Sequence, residues 1–159
     1  MPPVRPSSIV LGLLLAVSAA RGQYVNFEVS HVHPIDLTPG GGKLLAVNTP
    51  DARLEVFTLD AGGNLVPQRS IPVGLEPVTV VARTDSEAWV VNHLSDTVSI
   101  VDLSLGTTIR TLAVGDEPTD VAFASGKAFV AVSHEDAVKV WSLTDFSAPL
   151  AVVPLFGCR

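Results

Sequence analysis

Cysteine is nearly absent from this chain of 159 residues, because its single thiol is Cys158, the penultimate residue. One thiol cannot form a disulfide within the chain, so the fold must be held by burial of apolar side chains. A Cys-Xaa-Xaa-Cys-His motif is also lacking, which excludes covalent haem attachment to this sequence. Gly-Xaa-Ser-Xaa-Gly and His-Glu-Xaa-Xaa-His motifs are missing as well, so no familiar hydrolase signature is present.

Positive charge is scarce, with 10 Lys and Arg residues against 16 Asp and Glu and a formal net charge of −6. Two of the ten cations, Arg5 and Arg21, precede residue 23, so the chain without residues 1–22 carries eight cations against 16 acids and a net charge of −8. No basic stripe is available to neutralise phosphates. We therefore predict no nucleic-acid partner.

Long apolar runs are confined to the N-terminus. Arg5 precedes the apolar residues 9–17, and small residues such as Ser18 and Ala20 follow them. This order is typical of a secretory signal peptide, and the run is shorter than the roughly 20 residues of a spanning helix. We predict a signal peptide at residues 1–22, cleaved before Arg21 or Gln23, and a secreted or periplasmic product that does not contact the membrane. An uncleaved N-terminal anchor is the alternative.

The remaining chain repeats itself. "VGLEPVTVVA" at residues 73–82 returns as "VGDEPTDVAF" at residues 114–123. The glycines of this turn and its equivalent are 41 and 42 residues apart, and the corresponding prolines are 43 and 41 apart: Gly74, Gly115 and Gly157; Pro34, Pro77 and Pro118. Each period holds four short runs rich in β-branched residues, and outside the signal peptide no helical period is sustained.

Four strands in a period of about 40 to 45 residues are the sequence mark of a β-propeller blade. We therefore predict an all-β fold, a partial β-propeller of three four-stranded antiparallel blades at residues 33–74, 77–115 and 118–157, within a domain spanning residues 23–159. The Val-Gly-Xaa-Glu-Pro turn is predicted to lead from the outermost strand of one blade to the innermost strand of the next. Its glycine is expected to supply a positive φ, and its proline to start the strand. A catalytic loop is the rival interpretation of this turn.

The motif "WVVNHLSDTVSIVDL" at residues 89–103 resembles the YVTN-type β-propeller repeat, which belongs with the WD40-like repeats. Looser versions are "LAVNTPDARLEVFTL" at residues 45–59 and "VAVSHEDAVKVWSL" at residues 130–143. The resemblance covers residues 33–157 and implies architecture. Related propellers include lactonases and quinoprotein amine dehydrogenases, so it does not fix one activity.

Three blades are fewer than a closed ring needs, since propellers have about four to eight. We expect the chain to be the N-terminal part of a seven-bladed propeller, with residues 24–30 forming the outer strand of the missing last blade. A genuine three-bladed protein that closes by self-association is the alternative.

Histidine placement provides the candidate site. His93 and His134 follow Asn92 and Ser133, which end the second apolar run of their repeats, and His31 and His33 precede Pro34. The blade crossings and these hairpins share one face of a propeller, so the face should gather these imidazoles with nearby carboxylates. The ligand-face candidates are His33, His93, Asp96, His134, Glu135 and Asp136. The simpler interpretation is that they are solvated loop residues.

The remaining candidates have structural interpretations. We expect Trp89 and Trp141 to lie in the core between blades, and Asp102 and Asp120 to make turn or rim hydrogen bonds. We predict neither a metal nor another cofactor. The predicted function is a scaffold that binds an unknown protein or small-molecule ligand on this loop face. The alternative is the first part of a propeller enzyme, either a lactonase-like hydrolase or a quinoprotein or haem-linked dehydrogenase.

Overall fold

The computed structural model describes residues 29–155, which form twelve β-strands and, within that range, no helix. Residues 29–155 therefore contain no helix that is long and apolar enough to cross a bilayer. The strands are β1 Ile35–Leu37, β2 Lys43–Asn48, β3 Arg53–Leu59, β4 Leu65–Pro72, β5 Pro77–Ala82, β6 Glu87–Asn92, β7 Thr97–Asp102, β8 Thr107–Ala113, β9 Pro118–Ala124, β10 Lys127–Val132, β11 Ala137–Ser142 and β12 Ala151–Pro154.

The strands form three four-stranded sheets, each built from consecutive antiparallel strands. We call them blade 1 (β1–β4), blade 2 (β5–β8) and blade 3 (β9–β12). This confirms the predicted all-β fold of three four-stranded antiparallel blades. The predicted signal peptide lies outside the described residues. Of the predicted outer strand at residues 24–30, only Val29 and Ser30 are described, neither is in a strand, and the Val29 amide donates to Glu76 Oε1 at 2.8 Å.

Each blade has two faces, because successive side chains of a strand point to opposite sides of the sheet. We call the side that points to the next blade in chain order the forward face, and the other side the rear face. The forward face of blade 1 packs on the rear face of blade 2. Their shared core contains Leu45, Leu54, Val56 and Ile71 from blade 1, and Val80, Ala88, Val90, Val101 and Leu103 from blade 2.

A second core joins the forward face of blade 2 to the rear face of blade 3. Trp89 is fully buried in it, and its ring meets Phe123 of blade 3 edge-on with 5.1 Å between the ring centroids. Trp141 lies in the same core and is also buried. Both tryptophans therefore lie between blades, as their pattern predicts.

The indole of Trp89 is anchored at one end by a carboxylate. Its Nε1 donates to Glu87 Oε1 at 2.8 Å, and Arg83 Nη2 donates to Glu87 Oε2 at 2.8 Å. The Arg83 guanidinium and, to a lesser degree, the indole N–H hold the pKa of Glu87 below its ordinary value, against the opposing effect of partial burial. The ion pair thus helps to orient the buried indole of Trp89.

The Val-Gly-Xaa-Glu-Pro turn connects the blades as predicted, but the role expected of its glycine holds in only one copy. Gly115 has a φ of 118°, whereas Gly74 is not among the residues with positive φ. The positive-φ position that both turns share is the glutamate, with φ of 53° at Glu76 and 54° at Glu117. Gly74 is required for space instead, because a Cβ there would lie 2.6 Å from Asn92 Cγ.

Candidate functional site

One side of the three blades is formed by two kinds of loop, which we call together the connection face. The first kind is the hairpin between the second and third strands of each blade, at residues 49–52, 93–96 and 133–136. The second is the crossing between blades, at residues 73–76 and 114–117. Backbone hydrogen bonds tie them together: Val73 N to Ala52 O at 3.0 Å, Val114 N to Asp96 O at 3.0 Å and Ser133 N to Glu117 O at 3.0 Å.

His31, an exposed residue of the segment before blade 1, takes part in a short hydrogen-bond chain. Its Nε2 lies 2.6 Å from Thr49 Oγ1, and that hydroxyl donates to the carbonyl of Pro77 at 2.7 Å. The single hydroxyl proton is used toward Pro77, so His31 Nε2 must be the donor to Thr49. This imidazole therefore helps to join blade 1 to the start of blade 2.

His33 lies beside the innermost strand of blade 2. It forms an isolated parallel bridge with Thr79, its amide lies 3.2 Å from Thr79 Oγ1, and its carbonyl accepts from Val80 N at 2.9 Å. The residue is exposed, so its ring is free to meet a ligand. Its backbone is nevertheless fixed by the neighbouring blade.

His93 differs from the sequence-based expectation of a solvated hairpin tip. The residue is only 6% exposed, and its Nδ1 lies 3.2 Å from the carbonyl of Pro118. A carbonyl can only accept, so Nδ1 carries the proton. Since Pro118 begins β9, this ring fastens blade 2 to blade 3, just as Thr49 fastens blade 1 to blade 2.

The two hairpin histidines are not equivalent in position. Strand pairing closes the hairpins at Asn92 with Thr97 and at Val132 with Ala137, which aligns His93 with Ser133 rather than with His134. The backbone agrees, because the last loop residue of each hairpin has positive φ, 58° at Asp96 and 47° at Asp136. His134 is thus the counterpart of Leu94, and its side chain is 65% exposed.

Separate alanine substitutions should therefore have different effects. We expect His93→Ala to lower the free energy of unfolding by about 1–3 kcal/mol, because it leaves the buried Pro118 carbonyl without this donor. His134→Ala should change it by about 0.5 kcal/mol or less, as is usual for an exposed loop residue. Urea unfolding of both variants measures the difference, and equal stabilities would contradict the contact assigned to His93.

The exposed centre of the connection face is acidic and built around the second crossing. Asp96 Oδ1 accepts from Glu117 N at 3.1 Å, and Glu135 Oε1 accepts from Asp116 N at 3.1 Å. Glu135 also pairs with Lys139 at 2.7 Å, and this lysine holds the pKa of Glu135 below its ordinary value. Asp136 donates its amide to Ser133 O at 3.2 Å in the same hairpin.

His134 lies above this crossing, between two carboxylates. Its Nε2 is 3.7 Å from Asp116 Oδ2 and its Nδ1 is 3.7 Å from Glu117 Oε2. These contacts are long and solvent-exposed, so even with a protonated ring they contribute little to stability. The ring remains available to a ligand.

The structure thus brings four of the six predicted site residues together, namely Asp96, His134, Glu135 and Asp136. His93 is buried beneath them, and His33 lies at the inner strand of blade 2. Sequence reasoning missed Asp116 and Glu117, although the acid that precedes proline in both turns was visible. Within residues 29–155, no group of three or more His, Cys, Asp or Glu side chains is arranged to hold a metal ion.

No protein-family model matches the chain, and no curated protein sequence matches it. Solved structures do match. Hydrazine synthase from Kuenenia stuttgartiensis is 21% identical, with a TM-score of 0.66 over 85% of this chain and 39% of that one. Apo AztD from Citrobacter koseri is 18% identical, with a TM-score of 0.64 over 77% and 34%. A candidate 6-phosphogluconolactonase from Bacteroides uniformis is also 18% identical, with a TM-score of 0.64 over 82% and 46%.

These structures are β-propeller proteins, and the chain spans less than half the length of each. At such identities the likeness shows the fold alone. Together with the three four-stranded sheets, it establishes that residues 29–155 form three blades of a β-propeller.

Proposed function

We propose that this protein is a secreted or periplasmic propeller scaffold that binds a protein or small-molecule partner on its connection face, without catalysis of its own. The observation that carries the proposal is the exposed acidic surface around the second crossing, whose loops are joined by hydrogen bonds. Its exposed carboxylates belong to Asp96, Asp116, Glu117, Glu135 and Asp136. Loop segments fixed by a scaffold of strands are where propellers and other folds carry binding residues.

The chemistry of this surface favours a partner with a positive charge. Two of its carboxylates hold loop amides through one oxygen, as Asp96 does for Glu117 and Glu135 does for Asp116. These bonds position both side chains, and because Lys139 already pairs with Glu135, the charge offered to a cationic partner comes mainly from Asp96 and the acids of the crossing. The net negative charge of the chain strengthens long-range attraction of such a partner.

The YVTN-type resemblance is compatible with this proposal, because that repeat occurs in proteins with many roles. Hydrazine synthase and the candidate 6-phosphogluconolactonase are named as enzymes, and AztD has the same fold. Activity depends on the side chains of a site rather than on the fold. We therefore base the proposed role on the connection face of this chain.

The proposal is tested by two triple variants, one that removes charges from the connection face and one that removes charges from the opposite end of the blades. Asp96→Asn, Asp116→Asn and Glu117→Gln remove three charges from the connection face and keep oxygen acceptors. Asp60→Asn, Asp85→Asn and Asp145→Asn remove three charges from the hairpins at the opposite end and serve as a matched control. Both variants have the same net charge, so only the position of the lost charge differs.

We expect immobilised native protein and the control variant to capture the same partner from an extracytoplasmic extract, and the connection-face variant to lose it. Quantitative mass spectrometry of the retained proteins and small molecules makes the comparison. Equal retention by all three proteins, or a loss in the control alone, would exclude the connection face as the binding surface.

Export requires its own test, because residues 1–22 lie outside the described residues. The proposal rests on the order of Arg5, the apolar residues 9–17 and the small residues after them. Expressed with its leader in a bacterium, the protein should be recovered outside the cytoplasm and begin at Arg21 or Gln23. Terminal sequencing that finds Met1 on soluble cytoplasmic protein would refute export.

A further inference from the structure

The ring of His134 has a carboxylate beside each of its two nitrogens. Nε2 lies 3.7 Å from Asp116 Oδ2, and Nδ1 lies 3.7 Å from Glu117 Oε2. A neutral imidazole carries a single N–H, so one of the two nitrogens then presents a lone pair to a carboxylate. The protonated ring has an N–H at both nitrogens and is complementary to both neighbours. The arrangement therefore depends on the protonation state of this ring.

The repeat shows that the scaffold does not require this charged pair. At the first crossing, the position of His134 is taken by Leu94 and that of Asp116 by Leu75. Both leucines are exposed, at 64% and 56% respectively. Two titratable side chains thus replace two apolar ones at the same surface positions. Since the turn connects the blades in both copies, the pair at the second crossing is not needed for that connection.

Charged groups from three segments surround this ring. They belong to the second crossing, to the hairpin of blade 2 and to the hairpin of His134 itself: Asp116, Glu117, Asp96, Glu135 and Asp136. Lys139 is the cation of this group, and it already pairs with Glu135 at 2.7 Å. His93 lies beneath the surface, where its Nδ1 donates to the Pro118 carbonyl. Imidazole is the side chain that ordinarily changes charge between about pH 5 and 8, while carboxylates are ordinarily ionised above about pH 5.

We infer that His134 is a pH-sensitive switch on the connection face, and that its protonation weakens the binding of a cationic partner. This switch rests on the proposed function, because it regulates the same binding surface. With a neutral ring, the carboxylates of Asp116 and Glu117 are available to the partner. With a protonated ring, they face a cation of the chain itself, which also repels the partner.

Fluorescence anisotropy of labelled hexalysine with the full chain, at low ionic strength and at about pH 7.5 and about pH 5.5, tests the switch. Hexalysine keeps its charge over this range. We expect the native protein to bind it about two- to fivefold more weakly at the lower pH, the size of one exposed charge contact. His134→Gln does not titrate and should bind equally at both pH values. His134→Lys carries a permanent positive charge and should bind weakly at both.

His31→Gln is the matched control, because it removes another exposed imidazole, whose Nε2 bonds the Thr49 hydroxyl rather than a carboxylate. Its affinity for hexalysine should change with pH as that of the native protein does. A native affinity that is the same at both pH values would overturn the inference. A His134→Gln variant that keeps the native pH dependence would overturn it as well.

Failure of the proposed function would give a different result. In that case the triple variant of the connection face, Asp96→Asn with Asp116→Asn and Glu117→Gln, would bind hexalysine as tightly as the native protein at about pH 7.5. Weaker binding by this variant, together with an unchanged pH dependence in His134→Gln, would support the binding surface and contradict the switch. Native protein that does not bind hexalysine at all would contradict both.

Discussion

Replacing Trp89 by alanine is expected to lower the free energy of unfolding by about 3–5 kcal/mol, the usual cost of removing a large buried aromatic side chain. The ring is fully buried, contacts Phe123 edge-on and approaches Phe146 at 6.1 Å between centroids. Its loss would leave a cavity between blades 2 and 3. Urea unfolding monitored by circular dichroism measures the change, provided that the two proteins have equal m-values.

Trp89→Phe separates the two roles of this residue. Phenylalanine keeps an aromatic ring against Phe123 but cannot donate to Glu87, as the indole does at 2.8 Å. We expect the free energy of unfolding of Trp89→Phe to lie between that of the native protein and that of Trp89→Ala. An alanine variant that loses less than about 1 kcal/mol would show that this side chain does not fill the core between the blades.

The second large effect is expected at Gly74, where alanine should lower the free energy of unfolding by about 1–3 kcal/mol through overpacking. A Cβ at this position would lie 2.6 Å from Asn92 Cγ and 2.5 Å from Ser95 Oγ. Asn92 cannot move aside easily, because it is fully buried and its Nδ2 bonds Thr97 and Ser99. The strain therefore falls on the turn that joins blades 1 and 2.

Gly42→Ala is the control for this substitution. No atom lies within 4 Å of a Cβ built there, and the residue is not among those with positive φ. Its stability should be unchanged or slightly higher, since alanine restricts the unfolded chain. Equal thermal midpoints for the two alanine variants would rule out the close approach of Gly74 to Asn92.

The fold was predictable because each blade carries its own local signals. Short β-branched runs and polar turns define the strands, and markers such as Pro77 and Pro118 fix the period. The predictions that were wrong concern details of alignment, which depend on how neighbouring strands pair. The sequence alone aligns Asn92 with Ser133, whereas the pairing of Val132 with Ala137 ends the strand one residue earlier.

The candidate site was less predictable for the same reason. Polar residues in a hairpin are ordinarily exposed, but His93 is buried because its ring reaches the Pro118 carbonyl of the following blade. The two residues are 25 positions apart in the sequence, so no local sequence pattern indicates that they are in contact. Asp116 and Glu117 belong to the site because the crossing lies beside the hairpin of blade 3, where they contact Glu135 and His134.

The central claim is that the blades pack face to face in chain order, and a double-mutant cycle between Trp89 of blade 2 and Phe123 of blade 3 tests it most directly. Unfolding free energies are measured for the native protein, Trp89→Ala, Phe123→Ala and the double variant. The edge-on contact predicts a coupling energy of about 0.5–1.5 kcal/mol between the two rings. Strictly additive losses, within about 0.3 kcal/mol, would contradict this packing of blade 2 on blade 3.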